Sequence, residues 1–274
     1  MNVLITGAGG GLGRMFAAEC AKRKFDLFLT DINAPALEAI SADIKRQYPV
    51  TVRSAVCDLT SAESVRAMLD EAAARGIAFN MLFNVAGVDF EGAFAERTEE
   101  QISEIIEVNI AATLGITHEI LLRRPKDKKF YIVFVSSLAA LYPMPLKACY
   151  AASKRFLYDF ACALGSELES SEVSVTSLCP GGLATTKTSI EGIAAQGLWG
   201  RLTSNPLETV ARRTVTKALR GHRVYIPGVI NRMLAVLGKF APRSLIIRVI
   251  RSRWQKARTL RGFPPAKVVR SRRR

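Results

Sequence analysis

Three features of the sequence predict an α/β protein, built as a doubly wound parallel sheet of seven strands with helices on both faces. Short apolar runs alternate with helix-length amphipathic stretches along most of the chain. A glycine-rich turn joins the first run directly to the first stretch. The 274 residues, 49 % hydrophobic and 23 % charged, have an ordinary globular composition. A chain of this size buries roughly 75 % of its unfolded surface, so its core needs neither metal nor crosslink.

The strand-like runs are Val3–Ile5, Leu27–Thr30, Val52–Val56, Met81–Phe83, Phe130–Val135, Val173–Leu178 and Val224–Ile226. Between them, Gly11–Lys24, Pro35–Gln47, Ser61–Arg75, Thr98–Leu122, Ala148–Glu169 and Pro206–Arg220 have helical length and periodicity. Ser61 precedes its helix as a cap, and Pro206 falls where a first-turn proline is tolerated. The sheet domain is expected over residues 1–228, with a C-terminal extension over 229–274.

Several classes are disfavoured at once. No uninterrupted apolar stretch approaches the ~18 residues of a membrane span. The segment Met1–Thr6 has no basic n-region and runs straight into a strand, so no removable signal peptide is expected and the default compartment is the cytoplasm. Five scattered cysteines, Cys20, Cys57, Cys149, Cys162 and Cys179, form no C-x-x-C pair; they read as reduced thiols rather than a zinc site or disulfide framework, and no metal is expected. His118 and His222 are the only histidines, which leaves little material for a His-based triad.

The formal net charge of +15 is unevenly spread. Residues 1–200 hold 19 Lys and Arg against 23 Asp and Glu, whereas residues 201–274 hold 20 against the single Glu208. The body is mildly acidic and the tail carries the whole excess, which disfavours a uniformly basic nucleic-acid-binding domain.

The first strand ends in Thr6-Gly7-Ala8-Gly9-Gly10-Gly11-Leu12-Gly13. Glycines at a strand-to-helix turn let a pyrophosphate approach backbone N–H groups where the helix dipole favours negative charge. The spacing, Gly7-x-x-x-Gly11-x-Gly13, differs from G-x-G-x-x-G because Leu12 stands where the third glycine would be, and no Gly-Lys-Ser/Thr follows to make a P-loop. The plainer alternative is a tight turn and nothing more.

Asp31, at the end of the second strand, is placed to accept hydrogen bonds from both hydroxyls of an adenosine ribose and to repel a 2′-phosphate, which favours NAD over NADP. No Lys or Arg stands at Gly10 or Ile32, beside where that phosphate would lie. The alternative for Asp31 is to cap the following helix. Asp58 and Leu59 are candidates to bracket the adenine edge, unless Asp58 simply begins the next helical turn.

Tyr150-Ala151-Ala152-Ser153-Lys154 sets a phenol and an ammonium four residues apart on one helix face. The helix follows the fifth strand, which runs into Ser136-Ser137. A nearby ammonium favours the phenolate of a tyrosine that ordinarily titrates near ~10, giving a proton donor and acceptor usable near neutral pH, and Ser137 is placed to hydrogen-bond the reacting oxygen.

Taken together, Thr6-Gly7-x-x-x-Gly11-x-Gly13, Asn84-Val85-Ala86-Gly87, Asn109, Ser137, Tyr150-x-x-x-Lys154 and Pro180-Gly181 followed by Thr185 resemble the motif series of the short-chain dehydrogenase/reductases, over about residues 1–228. The resemblance implies a Rossmann fold that binds NAD through Gly7, Gly11, Leu12, Gly13, Asp31, Asp58, Leu59, Asn84, Ala86, Gly87, Tyr150, Lys154, Pro180, Gly181, Leu183 and Thr185. It further implies a catalytic tetrad in which Tyr150 is the general acid/base, Ser137 orients the carbonyl, Lys154 lowers the tyrosine pKa and holds the nicotinamide ribose, and Asn109 anchors a relay water. One departure is visible: the usual Asn-Asn-Ala-Gly reads Asn84-Val85-Ala86-Gly87. A homodimer or homotetramer is also implied, through the Thr98–Leu122 and Ala148–Glu169 helices.

In this family the substrate is met by the loop before the tyrosine, the segment after the Ala-Gly and the lid after the Pro-Gly. Here these supply Leu138, Leu141, Tyr142, Met144, Leu146, Val88, Phe90, Leu183, Ile190, Leu198 and Trp199, an apolar set suited to a small lipophilic substrate, though core packing is an equal claim on half of them. Lys187 and Arg201 point instead to an anionic group such as a coenzyme A phosphate. In the tail, Leu245, Ile246, Val249, Ile250, Trp254 and Ala257 share one face of a helix over Arg243–Leu260, with Arg248, Arg251, Gln255 and Arg258 opposite. Such a helix suits peripheral contact with an anionic membrane or packing on the body or a partner subunit. Pro264-Pro265 and Ser271–Arg274 read as a disordered end.

The expectation is therefore an NAD(H)-dependent oxidoreductase interconverting a secondary alcohol and a ketone on a steroid-like or long-chain substrate. The alternatives are a 3-oxoacyl-thioester reductase and, from another class, a dinucleotide-sensing binding protein, for which a broken tetrad would be expected.

Overall fold

The computed structural model describes residues 1–260, without the side chains of Ser170 and Arg258. The expected disordered end at Pro264-Pro265 and Ser271–Arg274 lies outside the described residues. Seven strands, β1 (Asn2–Thr6), β2 (Asp26–Asp31), β3 (Val52–Val56), β4 (Met81–Asn84), β5 (Phe130–Val135), β6 (Val173–Leu178) and β7 (Val224–Tyr225), form one sheet in the order 3-2-1-4-5-6-7. Every pairing is parallel, with Ile5 opposite both Leu29 and Phe83 and Leu82 opposite Ile132.

Alternation along each strand feeds two cores. Val3, Ile5, Leu29 and Phe83 face α1 (Gly11–Lys22), α2 (Ala34–Gln47) and, later in the chain, the Leu207–Leu219 helix; Phe16 of α1 packs 4.5 Å from the Phe83 ring. Leu4, Phe28, Leu82, Ile132 and Phe134 face the other way, against α3 (Ala62–Ala74), the Glu99–Arg123 helix and the Ala148–Glu167 helix. Helix starts follow local chemistry: the Asn33 side chain accepts from the Ala36 N–H at 3.0 Å, and the Ser61 hydroxyl accepts from Ser64 at 3.2 Å.

The Glu99–Arg123 helix comprises α4 (Glu99–Ile106), a wide π segment (Glu107–Ala112) and α5 (Thr113–Arg123). By length and composition its 25 residues would cross a membrane. Charged residues interrupt its apolar run, and Asn109, Ala112, Ile116 and Ile120 are buried against the protein. Next come α6 (Ala148–Glu167), α7 (Lys187–Ala195), α8 (Gly197–Thr203), α9 (Leu207–Leu219), α10 (Val229–Phe240) and α11 (Arg243–Leu260). Pro206 is the extended residue before α9 rather than its first helical residue. The sequence pattern does not mark α7, α8 or α10, whereas α11 starts at Arg243 as expected. The extension is no detached tail: α11 packs on α7, α7 on α8, and α10 on α8 and on the Leu138–Leu141 turn.

Candidate active site

Strand order reverses between β1 and β4, and parallel sheets bind their ligands at the carboxyl ends of such neighbouring strands. The Thr6 hydroxyl ties the two ends together, accepting from the Val85 and Ala86 N–H groups at 3.0 and 3.2 Å and donating to the Phe83 carbonyl at 3.3 Å. Gly7 has φ +62°, and a Cβ on it would stand 2.8 Å from the Ala86 backbone. A Cβ on Gly13 would lie 2.2 Å from the Gly7 carbonyl oxygen. The turn is thus a cradle that side chains would fill. Helix α1 is preceded by Gly10, with no side-chain cap and no acidic residue in its first turn, leaving N–H groups suited to a pyrophosphate.

Asp31 crosses from β2 to this turn. Its Oδ2 accepts from the Gly9 N–H at 2.8 Å and its Oδ1 from the Asn33 N–H at 2.9 Å, while Asn33, not Asp31, caps α2. The carboxylate therefore pins the cradle and keeps acceptor capacity for ribose hydroxyls. Asp58 Oδ1 is engaged locally by the Thr60 N–H and hydroxyl, at 2.9 and 2.7 Å, and Leu59 packs at the edge of the second core. Asn84 donates to the Thr117 hydroxyl on α5 at 3.0 Å, while its Oδ1 is buried without a partner among the described residues.

Four candidate catalytic residues come from three places at the same sheet edge. Asn109, in the π segment, accepts from the Val88 N–H at 2.8 Å and donates to the Val88 carbonyl at 3.0 Å and to Ser153 Oγ at 3.1 Å. A Cβ on Gly87 would lie 2.9 Å from Asn109 Oδ1 and 3.1 Å from Lys154 Nζ, so glycine is what lets this backbone pass between them. Lys154 is buried and donates to the Val135 carbonyl at 3.0 Å; its own carbonyl accepts from Ser136 Oγ at 2.7 Å. Ser137, two residues past β5, accepts from the Ala139 N–H at 3.1 Å and stands near enough to Tyr150 on α6 to lower its phenol pKa.

Burial pushes the Tyr150 phenol well above its ordinary value, the Asp89 charge adds to this, and only the Ser137 hydrogen bond pulls back. The Lys154 ammonium, 5.8 Å from the ring centroid, is itself pushed down to about 8 by burial, against a smaller upward pull from Asp89. Desolvation acts on both groups, raising the phenol and lowering the ammonium. A phenol held this high is protonated at neutral pH, and so is a proton donor.

Lys154 also gives a stability signature. Below about pH 8 it is charged whether folded or unfolded, and the cost of burying that charge is fully present. Between about 8 and 10.5 the unfolded chain retains a proton that the folded chain has shed, so stability rises with pH. Denaturant midpoints of the wild type are accordingly expected to gain on those of Lys154→Met across that window and to run parallel below it; parallel profiles throughout would contradict this burial.

The sequence reading missed the groups beside Tyr150. Lys147 forms an ion pair with Asp89, and its ammonium lies between two rings, 5.4 Å from the Tyr150 centroid and 5.1 Å from that of Trp254 on α11. Leu146, just before it, has φ +69°, an uncommon conformation for such a side chain. Only the position of Asp89, two residues after Gly87, hinted at this cluster.

On the lid side, the Pro180 carbonyl accepts from the Leu138 N–H at 2.7 Å, and the Gly181 N–H donates to Asn205 Oδ1 at 3.1 Å. Leu183 packs on the first core, and Thr185 stands against Gly11, 3.1 Å from where its Cβ would be. Of the apolar substrate candidates, Ile190, Leu198 and Trp199 are largely exposed, Trp199 lies under the Arg253 guanidinium at 5.1 Å, and Tyr142 packs beneath Gly238. All five cysteines are free thiols. Shallow depressions at the opposite edge of the sheet, between Asp26, Arg53 and Ile77 and between Phe79 and Arg123, hold no comparable set of groups.

A family model described as short chain dehydrogenase matches residues 1–192. A very-long-chain 3-oxoacyl-CoA reductase from Laccaria bicolor is 30 % identical over 177 residues, 64 % of this chain and 52 % of that protein. The Homo sapiens inactive hydroxysteroid dehydrogenase-like protein 1 is 31 % identical over 198 residues, 72 % of this chain and 60 % of its own length. The chain thus spans between half and two thirds of these curated relatives. Among solved structures, NAD+-bound xylitol dehydrogenase superimposes with TM-score 0.73 at 19 % identity, over 82 % of this chain and 96 % of the other. A 3-ketoacyl-(acyl-carrier-protein) reductase from Brucella melitensis, complexed with NADH, gives 0.72 at 20 % identity, over 83 % and 96 %. Both likenesses concern the fold.

Proposed function

Because the chain belongs to the short-chain dehydrogenase family, we propose that it is an NAD(H)-dependent oxidoreductase interconverting a secondary alcohol and a ketone on a lipophilic substrate. The observation that carries this reading is the Ser137–Tyr150–Lys154 cluster at the carboxyl edge of β5, beside a glycine cradle whose free backbone suits a nicotinamide dinucleotide. When bound, the dinucleotide supplies the hydride chemistry.

The chain's own residues do the rest. Gly7, Gly11, Leu12 and Gly13 hold the pyrophosphate, and Asp31 the adenosine ribose. Tyr150, protonated at neutral pH, donates its proton to the substrate oxygen in the reductive direction while Ser137 holds that oxygen. Lys154, held by the Val135 carbonyl, would hold the nicotinamide ribose, and Asn109 keeps the Val88 backbone in place.

Asp31 is the basis for NAD over NADP. Asp31→Ala is expected to lower kcat/KM with NADH by on the order of 10- to 100-fold, through loss of charge-assisted hydrogen bonds, and to raise the NADPH-to-NADH ratio. An unchanged ratio in paired cofactor titrations would remove Asp31 as the selector.

A second reading, reduction of 3-oxoacyl thioesters, is favoured by the similarity to a protein named very-long-chain 3-oxoacyl-CoA reductase, with Lys187 and Arg201 on the lid to meet an anionic carrier. The test is NADH formation across hydroxysteroids, 3-hydroxyacyl thioesters and simple secondary alcohols. Tyr150-dependent turnover of the thioesters alone would select the second reading. Silence across the panel with dinucleotide bound would overturn both and favour a binding protein, a class made pertinent by a relative that is named inactive.

A further inference from the structure

Helix α10 turns its apolar face outward. Val229, Met233, Val236, Leu237 and Phe240 recur at helical spacing and are all exposed, Phe240 by 83 %, while Asn231 and Ala235 on the opposite face are buried. Asn231 fastens the helix to the lid, donating to the Thr203 carbonyl, Asn205 Oδ1 and the Pro227 carbonyl at 2.9 to 3.1 Å. The outward face is therefore a rigidly mounted surface. Helix α8, packed beside it, adds Leu198, 70 % exposed, and Leu202. Monomeric proteins rarely leave so much apolar surface together unless something covers it.

Charge identifies the occupant. Residues 229–260 carry eight Lys and Arg and no Asp or Glu, and residues 261–274 add six more Lys and Arg with none opposed. Arg232 and Lys239 are exposed on α10 along one border of the apolar stripe, and Arg243, Arg248 and Arg251 are exposed on α11. A second copy docking through this face would bring like charge against like. A bilayer with anionic headgroups neutralises the cations while its acyl boundary takes the apolar stripe, as in-plane amphipathic helices require. Helix α11, which the sequence favoured for this role, is less suited: Ile246, Ile250, Trp254 and Ala257 are turned at least partly into the protein.

We propose that α10, flanked by α8 and the exposed arginines of α11, docks this protein in the plane of an anionic membrane surface. The occupant is a lipid bilayer, and binding is read without turnover, so the proposal stands or falls apart from the catalytic reading.

The test is flotation of the full chain with phosphatidylcholine vesicles, with and without phosphatidylserine. Wild type is expected to float with phosphatidylserine vesicles and to be released by salt. Met233→Glu/Phe240→Glu, which leaves two solvent-facing positions polar, is expected to lose roughly 100-fold in partitioning through its two inserted side chains, with thermal midpoint and NADH binding unchanged. Arg232→Glu/Lys239→Glu is expected to lose the preference for phosphatidylserine. Wild type left in the supernatant with both vesicle types overturns the proposal. So does a Met233→Glu/Phe240→Glu chain that floats like wild type, which would mean adsorption by charge alone. Self-association abolished by that double variant, without vesicle binding, would identify a second copy as the occupant and equally overturn it.

Discussion

Tyr150→Phe is expected to lower turnover by about 10³-fold while leaving dinucleotide affinity within a few-fold of wild type, because a positioned acid contributes 10²–10⁴ to such a step. The hydroxyl is the only atom removed. The ring keeps its place on α6, and Lys154 keeps its bond to the Val135 carbonyl. What disappears is the phenol that burial and Asp89 hold above its ordinary value, the proposed proton donor. Single-turnover reduction and NADH titration of the same variant separate the two effects. A variant with undiminished turnover would transfer the acid role elsewhere, and one that fails to bind NADH would make Tyr150 a binding residue first. Asp89→Asn provides a graded companion: removal of the charge that raises the phenol is expected to bring its pKa down, and with it the alkaline limb of the reductive rate profile.

Gly13→Ala is the second large effect. The added Cβ would sit 2.2 Å from the Gly7 carbonyl oxygen and 2.8 Å from the Ala8 Cα, both backbone atoms that no rotamer change relieves. Either α1 moves away from β1 or the turn opens. We expect a loss of about 3 kcal/mol in stability, at the upper end of ordinary overpacking, and at least ~100-fold in NADH affinity, since the cradle's N–H groups lose their convergence. Gly10→Ala is the control: its Cβ would meet only the Gly7 oxygen at 3.4 Å, ordinary contact, and affinity is expected within a few-fold of wild type. Calorimetric titration with NADH, alongside thermal melts, distinguishes a cradle that has moved from a chain that has unfolded.

The two glycines show how legible the site was. Gly7 and Gly13 stood out in the sequence because a run of glycines between an apolar strand and an amphipathic helix has few uses, and their crowding by Ala86 and by each other explains why no other residue serves. Tyr150, Lys154 and Ser137 were legible by spacing, four residues on one helix face and a serine at a strand end. Asp31 was readable as a carboxylate at the second strand's edge, but its bond to the Gly9 N–H, which makes it a brace for the cradle as well, was not. Asp89, Lys147 and Trp254 escaped the sequence reading because they come from a loop, the residue before α6, and the C-terminal helix, and no local pattern links them.

By itself the sequence determined the α/β class, all seven strands, the start of α11 and the candidate site residues. These follow from local periodicity, turn chemistry and side-chain type, which act over a few residues and survive in one dimension. The tertiary structure alone decided the surroundings of these groups, where burial raises the Tyr150 phenol and lowers the Lys154 ammonium. It also decided which helix faces are spent on packing: α11, amphipathic in sequence, turns part of its apolar side inward, and α10, not recognised as an element at all, is left with its own facing out. Burial is a property of the assembled neighbours, so neither outcome is written in any one segment of the chain.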